Sequence, residues 1–552
     1  MVALHTSLTV VVAAVGALLG PFAPASAASP VDIAGRRCEA LAGVRLADAE
    51  ITAAEPVPAG RYTAPNGRTM TVPAFCRVHG VARPVPRSTI GFEVWVPVKW
   101  NRRLVMFGNG GYSSAIDFAS MGRGLSAGYV TVGTDTGHTG DDPDVFVQGA
   151  ANPEIIVDWG HRAVHESVVN AKRVVRRLTG AGPEYSYFVG CSTGGHQGLM
   201  EAQRYPGDFD GIVAGAPGNN RVDLNAGFLW QFLANHQPGD DTRQILPAAK
   251  LALLTDAVVR RCRGRDGGLA TDGFLTDPTR CDFDPGGLRC ADGDRPSCLT
   301  DRQVDAVRAM YAGARDPRTG KRVYPGWPLG SEAPVVDASG RVLSGWSGYW
   351  GTTEPARANF WRSWVFGDPN WNWWKFDYHR DVAYAHRKVG RIIDATDPDL
   401  RPFRDRGGKL LMYQGWADPV VSAHDTIDYY RQVVRATSGG RPDDARSLRR
   451  TQSFARLFLA PGMAHCGGGP GPNTFDALTP LTRWVEEGTA PARITATKYV
   501  NDDPSQGVAL TRDLRPYPAQ ATVPTSRDPQ HGRTANVSHT SPCPAASEPK
   551  GT

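Results

Sequence analysis

Three short stretches of the sequence carry side chains whose types and spacing could do chemistry. The first is Gly190-Cys191-Ser192-Thr193-Gly194, which follows the apolar run Tyr187-Phe188-Val189 and leads into a helix-forming segment. A Gly-x-Ser-x-Gly turn between a strand and a helix exposes a serine hydroxyl at a helix N-terminus, where the helix dipole favours developing negative charge. A nucleophilic serine needs a base and a group that orients the base, and in this arrangement they follow later in the chain, acid before histidine, each just past a strand. "KLLMYQGWADPVV" places Asp418 past one apolar run, and "RLFLAPGMAHCGGG" places His465 past the next. Taken singly, an Asp before a Pro is usually a turn former, and an isolated loop His is more often structural. The shared order and strand-end placement set the trio Ser192, Asp418 and His465 apart, with Asp425 as the alternative acid. Two backbone N–H groups must hold the oxyanion. Thr193 supplies one, and the glycines of "FGNGGY" supply the other through Gly110 or Gly111.

Cysteines flank this trio. Cys191 precedes the serine and Cys466 follows the histidine, so if Ser192 and His465 meet, the two sulfurs are drawn together. A bond between them would tie the serine turn to the histidine loop. A cysteine nucleophile fits less well, because Cys191 occupies a variable position of the turn. The other seven of the nine cysteines are Cys38, Cys76, Cys262, Cys281, Cys290, Cys298 and Cys543. In an exported protein the default reading is disulfides with one cysteine left over, and spacing suggests the local pairs Cys262–Cys281 and Cys290–Cys298.

The elements that would position these residues follow from periodicity. "IGFEVWVP", "RRLVMFG", "GYVTVG", "YSYFVG", "GIVAG", "KLLMYQG" and "ARLFLA" read as strands, and residues 158–179 carry apolar positions at helical spacing up to Gly180. Strands alternating with helices predict a mostly parallel sheet covered on both faces, an α/β fold. The rhythm breaks between 219 and 406, a stretch with four cysteines and the tryptophan-rich "WRSWVFGDPNWNWWKFDY". The expected organisation is therefore 28–218 and 407–525 as two parts of one α/β domain, 219–406 as an inserted lid domain, and 526–552 as a polar tail. The lid aromatics suit either substrate binding or a lid core.

The remaining features bound the class. An apolar run from Leu8 to Gly20 leads to Ala25-Ser26-Ala27, which reads as a signal peptide over 1–27 and predicts secretion. No later stretch is long and apolar enough to span a bilayer, so no membrane association is expected of the mature form. The net charge of +6 is spread over many arginines without a basic block, and is read as surface solvation rather than nucleic-acid binding. The sequence assigns no oligomeric state.

Cys-Ser, Asp and His-Cys in this order resemble the tannase and feruloyl esterase family, which includes an esterase cleaving mono(hydroxyethyl) terephthalate. The supporting stretches are "GCSTGGHQGLMEAQRYPGDFDGIVAGAP", "YQGWADP", "PGMAHCGGGPGP", "GTDTGH" and "FGNGGY", within a likeness spanning about 35 to 520. The resemblance implies an α/β-hydrolase fold with a large lid and a Ser192–His465–Asp418 triad. It also implies disulfides Cys191–Cys466, Cys38–Cys76, Cys262–Cys281 and Cys290–Cys298. Two features depart from it. Arg515 stands where the family carries a cysteine before Pro-Tyr-Pro, which leaves Cys543 without a partner. The family's structural calcium sits in a lid loop opening Cys-Asp-x-x-Asp-Gly, and here Arg263 replaces the first Asp. The candidate ligands left are Asp266 and Asp272 with the carbonyls of Ala270 and Phe274; no organic cofactor is implied. The expected activity is hydrolysis of esters of aromatic, phenolic acids by a secreted serine esterase. The rivals are a terephthalate-monoester esterase and a catalytically silent ligand-binding protein of the same fold.

Overall fold

The computed structural model describes residues 30–336, 342–343 and 345–524. The signal-peptide expectation, the polar tail and Cys543 lie outside the described residues.

Nine strands form one central sheet: β1 (Ala49–Val57), β2 (Phe75–Ala82), β3 (Ile90–Pro97), β4 (Arg103–Phe107), β5 (Val130–Thr134), β6 (Tyr185–Cys191), β7 (Gly211–Gly215), β8 (Lys409–Gly415) and β9 (Ala455–Ala460). Their spatial order is β1-β2-β3-β5-β4-β6-β7-β8-β9. The first three strands and their junction with β5 pair antiparallel, and every pairing from β5 through β9 is parallel. Strands β5 and β7 are buried at every residue, as expected where helices cover both faces of a parallel sheet. The mostly parallel sheet is the one expected from the strand–helix rhythm, and the whole is the α/β-hydrolase fold that the family resemblance implies.

Helix α1 (Ala163–Thr179) lays Val164, Val168, Ala171, Val174 and Val175 on the sheet and ends at Gly180. Gly180 has φ 83°, a left-handed conformation in which a glycine costs little. Helix α2 (Thr193–Arg204) follows β6 directly, and ten of its twelve residues are buried, because it runs down the centre of the molecule. Between the end of β7 and the start of β8, none of the described residues joins the central sheet. Trp346 and Trp350 lie in an apolar core of that segment's own, and Trp361 and Trp364 in one shared with Tyr112, Phe146 and Trp159; all four are at most 2% exposed. Of the two readings open for the lid aromatics, these four tryptophans take the core one.

The inserted segment is pinned to the loops above the sheet. Trp364 packs edge-on against Tyr112 and Phe146, with centroids 5.7 and 5.0 Å apart, and Tyr112 stacks on Trp159 at 4.4 Å. Arg357 reaches down from the insertion, bonds Asp142 at 3.0 Å and lies over the rings of Tyr112 and Phe228. Among the described residues four disulfides join Cys38–Cys76, Cys191–Cys466, Cys262–Cys281 and Cys290–Cys298.

Candidate active site

Strand β6 delivers Ser192 at its C-terminal end. The residue has φ 62° and ψ −116°, a backbone conformation that L-residues rarely adopt and that persists only where the surroundings enforce it. The enforcement is local: the Ser192 N–H donates to the Gly215 carbonyl at 3.0 Å, and its carbonyl accepts from the N–H of His196 at 3.0 Å. A Cβ on Gly190 would stand 2.4 Å from the Gly194 backbone, so this turn closes only around glycine.

The three chemically suggestive side chains meet. His465 Nε2 lies 2.8 Å from Ser192 Oγ, and His465 Nδ1 lies 2.8 Å from Asp418 Oδ2. A carboxylate can only accept, so Nδ1 carries the proton and Nε2 turns its lone pair to the serine hydroxyl. Asp418 is fully buried; the N–H groups of Val420 and Val421 donate to its Oδ1 at 2.8 and 3.0 Å, and Gln414 Nε2 donates to its Oδ2 at 2.9 Å. Gln414 is itself fixed by the Thr426 hydroxyl, which donates to its Oε1 at 2.9 Å. Cys466 follows His465 with φ 61°, and its sulfur is bonded to that of Cys191 across a sequence separation of 275 residues.

Asp425, the alternative acid, has a different environment. Burial, with Asp223 and Asp428 nearby, pushes its carboxyl up to about 8, so it is protonated at neutral pH. The unfolded chain gives up that proton near pH 4, so between about pH 4 and 8 the folded state binds more protons than the unfolded one, and stability falls as pH rises through the window. Asp425→Asn removes this loss. The variant is expected to gain about 3 °C in Tm at pH 8 and nothing at pH 4, as read by thermal unfolding at the two values.

Of the oxyanion candidates, Thr193 and Gly111 are in contact. Thr193 is fully buried at the first turn of α2, where helix N–H groups lack intrahelical acceptors. Its hydroxyl donates to the Gly111 carbonyl at 2.5 Å. The neighbouring Asn109 is clasped by Gln197: the Asn109 N–H donates to Gln197 Oε1 at 3.0 Å, and Gln197 Nε2 donates to Asn109 Oδ1 at 3.1 Å. Gly111 takes φ 54°, within the left-handed region that favours glycine. Sequence reasoning missed Gln197, Asn109, Gln414 and Thr426. Gln414, four residues before Asp418, and Gln197, five after Ser192, gave a proximity signal that went unread.

The calcium expectation is corrected. Asp266 is occupied by backbone donors, the N–H of Gly268 at 3.1 Å and that of Thr276. Asp272 accepts from the Leu269 N–H at 3.1 Å and from Arg512 Nη2 at 2.6 Å, in an ion pair whose side chains are 6% and 8% exposed. Arg512 also lies over the Phe274 ring at 5.7 Å. A guanidinium thus supplies the positive charge to Asp272, and among the described residues no group of three or more His, Cys, Asp or Glu side chains is arranged to hold a metal ion. Removing one partner of such a buried pair strands the other charge, so Arg512→Met is expected to cost about 3 kcal/mol. Denaturant melts should show that loss unrelieved by added calcium, and wild-type stability unchanged by a chelator.

A sequence model of the tannase and feruloyl esterase family matches residues 76–529. The chain is 39% identical over 540 residues to an uncharacterized esterase of Xanthomonas campestris pv. campestris, covering 92% of this chain and 90% of that protein. It is 32% identical to a mono(2-hydroxyethyl) terephthalate hydrolase of Piscinibacter sakaiensis, covering 86% of each. Among solved structures, feruloyl esterase B from Aspergillus oryzae superposes with a TM-score of 0.78 at 28% identity, covering 88% of this chain and 96% of that one.

Proposed function

The chain belongs to the tannase and feruloyl esterase family of ester hydrolases, and from that premise we propose that it is a secreted serine esterase acting on esters of aromatic, phenolic acids through an acyl-enzyme. The observation that carries the mechanism is the unbroken chain from buried Asp418 through His465 to Ser192, with both links at 2.8 Å.

In this reading His465 Nε2 takes the Ser192 Oγ proton as the oxygen bonds to the ester carbonyl carbon. Asp418 holds Nδ1–H and stabilises the imidazolium without taking its proton. The carbonyl electrons move onto oxygen, which is held by the N–H of Thr193 and that of Gly110 or Gly111. On collapse of the tetrahedral adduct, the C–O bond to the alcohol breaks and His465 protonates the departing oxygen. Water then repeats the cycle on the acyl-serine, releasing the acid and restoring the Oγ–H bond. The chemistry calls for no metal or organic cofactor.

Residues 219–406 act as the lid domain in this proposal, with 28–218 and 407–525 forming the catalytic one. Export is supported by the leader-like residues 1–27 and by four disulfides, which persist in oxidising compartments. Among the described residues no helix is long and apolar enough to cross a membrane. The likeness to a terephthalate-monoester hydrolase supports a second substrate reading. Initial rates on methyl ferulate, methyl gallate and mono(2-hydroxyethyl) terephthalate separate the two. The fastest turnover is expected on a phenolic ester; preference for the terephthalate would move the assignment, and no turnover of any aryl ester would favour a silent binding protein. An aryl fluorophosphonate is expected to label Ser192, and labelling elsewhere would overturn the mechanism.

A further inference from the structure

Arg221 opens helix α3 (Arg221–Asn235) and is only 1% exposed. Its Nη2 donates to Thr193 Oγ1 at 2.6 Å, the same hydroxyl that donates to the Gly111 carbonyl at 2.5 Å. The guanidinium is sandwiched in aromatic surface, 5.1 Å from the Trp159 ring centroid and 5.4 Å from that of Tyr112. Its Nε has no hydrogen-bond partner.

No carboxylate neutralises it among the described residues. The acid closest in influence, Asp142, is committed elsewhere: Oδ2 to Arg357 Nε at 3.0 Å and Oδ1 to the Tyr112 N–H at 2.9 Å. His196, on the Trp159 ring at 5.5 Å, is held well below the usual histidine range by burial and adds no charge. Two guanidiniums and one carboxylate therefore surround Tyr112, a surplus of one positive charge. Burial pulls Arg221 down to about 10, so it stays protonated at neutral pH.

A buried cation without a counter-ion is a poor choice for stability, and an apolar side chain of similar size usually serves better. It becomes favourable once negative charge develops beside it in a site of low polarisability. We propose that Arg221 is a positioning residue of the oxyanion hole: through the Thr193 hydroxyl it locks the Thr193 and Gly111 peptides against each other, and its unpaired charge is compensated only when the ester carbonyl becomes an oxyanion. The role rests on the serine-esterase reading above. It adds to that reading a charge one residue beyond the hole and a pair of hydrogen bonds, from Arg221 to the Thr193 hydroxyl and from that hydroxyl to the Gly111 carbonyl, that fixes the two segments side by side.

The test compares Arg221→Met, Arg221→Lys, Thr193→Val and Ser192→Ala in the full chain. The readouts are kcat and KM on an aryl ester, affinity for a phenylboronic acid that forms a tetrahedral anion on serine, affinity for an amide analogue of the ester, and Tm. Arg221→Met is expected to lower kcat by about 100-fold and weaken the boronate by a similar factor, in the range of losing one oxyanion donor. KM and amide affinity should stay within about threefold, and Tm should hold or rise. Arg221→Lys should recover part of kcat, and Thr193→Val should lose kcat in the same way, with the double variant no worse than the single ones. A kcat within about threefold of wild type for Arg221→Met, or equal weakening of amide and boronate, overturns the proposal. If Arg221→Met does not fold, Thr193→Val retaining kcat and boronate affinity overturns it instead. Full turnover by Ser192→Ala would defeat the serine reading itself, an outcome separate from the Arg221 result.

Discussion

Ser192→Ala is expected to lower kcat/KM on an activated aryl ester by about 10⁴- to 10⁶-fold, while the melting curve stays where it is. The side chain gives up only its Oγ, whose partner is His465 Nε2 at 2.8 Å, and the turn that holds it is built from backbone bonds to Gly215 and His196 that alanine keeps. His465→Ala should cost as much, and the double variant should cost hardly more, because neither group works without the other. Asp418→Asn should cost less. An asparagine can still meet the two N–H groups of Val420 and Val421, but can offer His465 Nδ1 an N–H and so select the wrong tautomer. Steady-state kinetics with calorimetry separate these losses from unfolding; substantial turnover by the alanine variant would remove Ser192 from the mechanism.

The second large effect belongs to Cys191–Cys466. In the chain-entropy account, closing a loop with a sequence separation of 275 residues is worth up to about 5 kcal/mol, far more than the separation of 8 at Cys290–Cys298 would give. Replacing both cysteines by serine is expected to cost about 4 kcal/mol in non-reducing denaturant melts. Because the bridge joins the residues next to Ser192 and His465, the proposed nucleophile and base, kcat should fall by about 10- to 100-fold even in molecules that remain folded. The lost rate should exceed any change in KM. A double serine variant with wild-type kcat would show that the base keeps its place unaided, and a disulfide map leaving the two cysteines unlinked would remove the premise.

What the sequence made legible was whatever repeats at short range. Strands β4 to β9 and helix α1 announced themselves through apolar periodicity, and the order serine, acid, histidine came from strand ends that can be counted along the chain. What it hid was pairing over long distances. Nothing near Asp272 foretells that its partner is Arg512, 240 residues away, so a loop with two aspartates read as a cation site when the cation is the protein's own. Arg221 was equally opaque: an arginine after Asn219-Asn220 looks like a solvated helix start, and only the fold shows that aromatic rings close over it. The tryptophan-rich stretch was ambiguous for a related reason, since a ring that fills a core and a ring that faces a ligand are the same residue until their neighbours are known.

The bond between Cys191 and Cys466 has a consequence for how such a protein can change. The whole insertion between β7 and β8 lies inside the loop that this bond closes. Ser192 and His465 are therefore held together by a covalent short cut that does not pass through that segment. Loops of that segment can be lengthened, exchanged or reshaped to suit a new ester while the reacting pair keeps its distance. Outside the few residues of the segment that touch the site, such as Arg221, two sulfur atoms separate what evolution or an engineer can rewrite from a pair that must stay fixed.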